Sequence, residues 1–85
     1  MEKFSTPIPP GADLWKLRDE IANLVAVKWL GRPRLKKEII WVTKLREGNH
    51  YITLKGVQLG NLIEVDDQII FEPNQPGYTH HGIKK

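Results

Sequence analysis

The stretch WLGRPRLKKEIIWV, Trp29 to Val42, is where the chain changes its hydrophobic period, and the fold class turns on how it is read. Upstream, apolar residues recur at the 3.6-residue spacing of a helix; downstream, EIIWVTKL (Glu38–Leu45) is rich in the β-branched and aromatic residues of a strand. Between them, Gly31 has no Cβ and suits the left-handed residue that closes a helix. Pro33 then blocks continuation and pushes Arg32 toward extended geometry. The helix therefore ends near Leu30. Its start is set by Asp13, whose side chain can accept from a free amide of the first turn, so a helix is expected over about 13–30.

At 100° per residue, Leu14, Leu17, Ile21, Leu24 and Val25 form one stripe, read as facing a sheet. A second stripe carries Trp15, Ala22, Ala26 and Trp29, which makes the apolar arc wider than one sheet contact needs. Either the proline arm or the end of the sheet covers this stripe, or its four residues are the candidate partner interface, with a homodimer or another protein as the occupant.

Downstream, Gly48-Asn49 fits a two-residue turn with glycine first. That register places Leu45 opposite Ile52 and Thr43 opposite Leu54, with Trp41 and Ile39 on the same face; a three-residue loop would select Val42 and Ile40 instead. The first is favoured. Gly56 is read as a bulge or sharp bend that restores phase between Ile52/Leu54 and Val57/Leu59. A hairpin follows around Asp66-Asp67, with Ile63, Val65, Ile69 and Phe71 as its expected inner face and Pro73 as its stop. The N-terminal FSTPIPPG, with three prolines, is expected to be extended. The domain plan is an arm (1–12), one α+β domain (13–73) and a flexible C-terminal tail (74–85). The expected fold is one N-terminal helix on a bent three- to four-stranded antiparallel meander, open or partly closed into a small barrel.

Composition sets limits on function. Apolar residues are 40% and charged residues 27% of the 85, a balance that folds rather than staying disordered. There is no cysteine, which removes disulfides, thiolate metal sites and cysteine nucleophiles. No apolar run reaches the length of a membrane span or a signal peptide, so a cytoplasmic protein with no membrane partner is expected. The net charge of +3 is unevenly spread: Lys28–Arg46 holds seven cations against Glu38 alone, whereas Glu47–Gly77 holds five acids against Lys55. Lys28, Arg32, Arg34, Lys36 and Lys37 are therefore the candidate phosphate contacts, a mode giving salt-dependent, largely sequence-independent affinity.

Gly31, Arg32 and Pro33 resemble the core of the AT-hook family, which implies minor-groove contact with A·T-rich DNA; Leu30, however, stands where that family has its first arginine. The segment PGYTHHGI is similar to the region around the first catalytic histidine of the lecithin:retinol acyltransferase and NlpC/P60-like enzymes, at His81, Gly82 and Ile83. Without a cysteine nucleophile, that activity does not carry over. His80 and His81 have no third ligand at a useful spacing, and no Ser-His-Asp set or glycine-rich phosphate loop is present. No metal, cofactor or catalytic residue is expected. The sequence points to a non-enzymatic binding or regulatory protein contacting nucleic acid or another anionic surface through 28–37, the alternative being a protein-interaction module that uses the Trp15/Trp29 stripe.

Overall fold

The computed structural model describes residues 2–74. Its elements are β1 (Phe4–Pro7), α1 (Leu14–Leu30), β2 (Ile40–Arg46), β3 (Asn49–Leu54), β4 (Val57–Val65) and β5 (Gln68–Pro73). Five antiparallel strands form one sheet in the order β1-β5-β4-β3-β2, and α1 packs across one face. The two edge strands, β1 and β2, do not pair with each other, so the sheet is open rather than barrel-like.

Both helix ends follow their local signals. Asp13 is the N-cap, its Oδ1 accepting from the Lys16 amide at 3.2 Å, and Gly31 closes the helix at φ 76° while its N–H donates to Val27 O. The strand count exceeds the expected three to four for two reasons. Half of the proline arm is itself an edge strand, with Phe4 opposite Phe71 and Thr6 opposite Ile69; Pro7 is tolerated there because an edge has amides that need no partner. In addition, Gly56 makes a turn rather than a bulge. Lys55 and Gly56 both have positive φ, 54° and 80°, as a tight two-residue hairpin requires, and they divide what reads as one strand into β3 and β4.

The β2–β3 register corrects the favoured pairing. Ile40 lies opposite Leu54 and Val42 opposite Ile52, so Ile40 and Val42 face the helix while Trp41 and Thr43 face away. The turn is centred on Glu47-Gly48 rather than Gly48-Asn49, and a bulge at Leu45 absorbs one residue. The inner face of the last hairpin also shifts. The Asp66-Asp67 turn sets Leu62 opposite Phe71 and Ile63 opposite Ile70, which turns Leu62 inward and Ile63 and Val65 away.

In the core, Ile21, Ala22, Val25 and Ala26 of the helix meet Ile52, Leu54, Leu59, Leu62, Ile69 and Phe71 of the sheet. Relative to expectation the helix is rotated about its axis. Ala22 and Ala26 are its sheet-facing residues, and Leu24, assigned to the core stripe, is 59% exposed. Small side chains on that line let the helix lie close to the large residues of β3, β4 and β5. Gly60 has a related role: a Cβ there would stand 2.4 Å from Glu72 O and 2.7 Å from the Phe71 ring, so the ring fills the space that a side chain would need. The expected tail begins one residue early. Asn74 is tied to β4, its N–H donating to Leu59 O at 3.0 Å and its Nδ2 to Gln58 O at 2.6 Å. The rest of the tail, His80 and His81 included, lies outside the described residues.

Candidate nucleic-acid interface

The basic connection between α1 and β2 is built around its one acid. Glu38 is buried, and its carboxylate accepts from both terminal nitrogens of Arg32, at 2.8 and 2.5 Å, and from the Leu35 amide at 2.8 Å. Its own amide donates to Leu35 O at 3.0 Å, closing a turn with Lys36 and Lys37 at the two central positions. Arg34 ties this turn to the rest of the molecule, with Nη1 donating to Glu38 O at 3.0 Å and Nε to Asn23 Oδ1 on the helix at 3.2 Å. The Arg32 guanidinium and the Leu35 amide hold the Glu38 carboxyl down at about 2, well below the usual range.

The five candidate cations thus have unlike environments. Arg32 and Arg34 spend their donors inside the connection, shaping it. Lys28, Lys36 and Lys37 are exposed and make no ion pair among the described residues. Lys28 sits in the last helical turn, where a cation also suits the helix dipole.

The helix stripe is divided as well. Ala22 and Ala26 are covered by the sheet, while Trp15 and Trp29 stay about half exposed at opposite ends of the helix, at 48% and 46%. Trp29 borders an open groove with Glu2, Phe4 and Lys28. Trp15 belongs to a buried polar cluster that sequence reasoning missed. Arg18, buried in the helix–sheet interface, makes a two-pronged ion pair with Glu64 of β4, Nη2 to Oε1 being 2.9 Å. The Arg18 guanidinium also lies 4.6 Å from the centre of the Trp15 ring, and Trp15 meets His50 edge to face at 5.3 Å. His50 is fully buried, with Nδ1 3.7 Å from Glu64 Oε2 and no hydrogen-bond partner on either ring nitrogen. Burial and the adjacent Arg18 charge push its pKa down, so the ring is neutral; Arg18 likewise holds the Glu64 carboxyl down.

The sheet face opposite the helix has no covering element among the described residues. By strand alternation it carries Trp41, Thr43, Tyr51, Thr53, Asn61, Ile63, Ile70 and Glu72. Trp41 is 62% exposed, more than any other large apolar side chain described. Among the described residues no three of His, Cys, Asp or Glu are gathered as metal ligands, and no helix is long and apolar enough to cross a membrane. No protein-family model matches the chain, no curated protein matches it in sequence, and no solved structure matches it.

Proposed function

We propose that this chain is a non-enzymatic nucleic-acid-binding protein that grips phosphates with Lys36 and Lys37, supported by Lys28. The observation that carries this reading is the turn held by Glu38. A buried carboxylate bonded to Arg32 and to the Leu35 amide fixes the backbone beneath two adjacent exposed lysines, so they are presented on a rigid tip. Ordering two lysine side chains on a polyanion costs less when the backbone is already set. The arginines act here as positioning residues. The interaction-module alternative is the weaker one, since two of its four residues, Ala22 and Ala26, are inside the core and the half-exposed Trp15 and Trp29 stand at opposite ends of the helix.

The test is titration of fluorescently labelled duplex and single-stranded oligonucleotides over a range of salt. Lys36→Gln with Lys37→Gln is expected to weaken binding to all sequences alike and to lower the slope of log Kobs against log salt by about 1.5, the share of two phosphates. Binding with an unchanged slope in that variant, or no wild-type binding at low salt, overturns the proposal.

A further inference from the structure

The Glu38-held turn leads directly into β2, whose outward-facing residues begin with the most exposed aromatic on the sheet. Trp41 pairs with Thr53, and Tyr51 with Thr43, so the two aromatics are diagonal neighbours on adjacent strands of the uncovered face. Diagonal positions stand about 7–8 Å apart, within reach of aromatic side chains, so the two rings form one aromatic patch. Arg46 pairs with Asn49 on the same face, beyond Thr43. Two acids lie near this half: Glu47, in the turn, is 3.9 Å from Lys44, and Glu72, which pairs with Asn61 and so shares the uncovered face two strands from Tyr51, is 3.4 Å from Lys3. The half of the face formed by β2 and β3 thus offers two aromatic rings, neutral hydrogen-bonding side chains and a cation, and the turn that carries Lys36 and Lys37 comes just before β2 in the chain.

From this juxtaposition we infer that the uncovered sheet face binds single-stranded nucleic acid, with bases stacked on Trp41 and Tyr51 and the backbone led onto the sheet by Lys36 and Lys37. This rests on the phosphate-gripping role proposed above and names the form of nucleic acid. A duplex keeps its bases stacked on one another and offers no free ring faces, whereas every base of a single strand has one, so stacking selects strandedness without selecting sequence. The like charge of Lys36, Lys37 and Arg46 works against a second copy of this edge docking on the face, and a polyanion removes that repulsion.

The experiment compares labelled oligothymidylate, oligouridylate and a mixed-sequence duplex of equal length. The inference expects both single strands to bind more tightly than the duplex. Trp41→Ala with Tyr51→Ala is expected to cost tenfold or more in single-strand affinity, with duplex binding and the salt slope unchanged, because stacking is lost and the lysines remain. Trp41→Phe, which keeps an aromatic face, is expected to recover most of the loss, and circular dichroism confirms the fold. In a Trp15→Phe, Trp29→Phe background, Trp41 alone reports, and its fluorescence is expected to be quenched on binding. Single-strand affinity unchanged in the double alanine variant, or duplex bound as tightly as single strand, overturns this inference but leaves the phosphate grip standing; absence of any binding at low salt overturns both.

Discussion

Two glutamate–arginine pairs in this molecule have nearly the same chemistry and opposite uses. Arg18 and Glu64 are 46 residues apart, join the helix to β4, and have side chains only 9% and 12% exposed. Arg32 and Glu38 are six residues apart within one connection, with the carboxylate buried and the arginine side chain 45% exposed. In both, an arginine fork lowers the pKa of a carboxyl that burial alone would raise. The first pair sits between layers, where it fixes how the helix lies on the sheet. The second closes a local loop and decides what that loop shows to solvent. The same two side chains serve the core when long-range and serve presentation when local.

The sharpest way to break this comparison is to remove one arginine from each pair. Arg18→Met leaves Glu64 charged in the interface beside a neutral His50, and breaking a buried pair in this way costs about 3–5 kcal/mol. For a domain of this size that is a fall in Tm on the order of 20 °C, read by thermal melts at pH 7. Adding Glu64→Leu to the same chain is expected to restore much of the loss, because a well-packed apolar pair needs no solvation. Arg32→Met is expected to cost less, because the Glu38 carboxylate keeps the Leu35 amide at 2.8 Å and Lys55 Nζ at 3.7 Å. Equal effects of Arg18→Met and Arg32→Met would erase the distinction between the two pairs.

The helix pair was illegible in the sequence for a physical reason. Arg18 lies within the apolar arc of a helix, and only a partner from a distant strand makes its burial tolerable; spacing along the chain says nothing of Glu64. The helix ends were legible because Asp13 and Gly31 act within a few residues. The β2–β3 register was not, since one bulge at Leu45 reverses which side chains face the helix, and the two candidate turns differ by a single residue. Lys55 hid the β3–β4 turn because a lysine with positive φ is uncommon, leaving Gly56 to be read as a bulge. Of the candidate site, the charge of Lys28–Lys37 was plain from composition, but its division into two shaping arginines and three exposed lysines depends on where Glu38 points.

Titration separates the pairs next, through the histidine that only one of them has. His50 is buried and neutral, with its pKa lowered from 6.5, so the unfolded chain takes up a proton more readily than the folded one. Stability is therefore expected to decline as pH falls below about 6.5, until the folded state itself titrates. Glu38 and Glu64 act in the same direction over a lower window. Both have lowered pKa values, so their contribution is present above about 4.5 and is lost as pH falls below it, toward about 2 for Glu38. Tm measured from pH 8 to 4 is expected to show a first decline that begins near 6.5 in the wild type and is missing in His50→Leu. That variant also removes two buried ring nitrogens without partners, so its Tm at pH 8 is expected to match or exceed the wild type. A decline near 6.5 that persists without His50 would assign the transition to other groups.

The smallest expected effect is on binding, and at Glu38 it carries a sign that separates two accounts of the basic connection. If the connection worked by charge alone, Glu38→Gln would remove the one acid among seven cations and tighten polyanion binding. If it works by presentation, the same change weakens the hold on Arg32 and on the Leu35 amide, loosens the turn beneath Lys36 and Lys37, and lowers affinity although the segment has become more positive. Glu47→Gln supplies the control, because its carboxylate is 99% exposed and accepts only a weak lysine contact at 3.9 Å. Removing it changes the net charge by the same amount without disturbing the Glu38 turn. The expected outcome in oligonucleotide titrations at fixed salt is a slight gain for Glu47→Gln and a loss for Glu38→Gln, with Tm lowered only in Glu38→Gln. A gain in both would return the connection to a simple sum of charges, and Glu38 would then be only the acid that happens to lie beneath it.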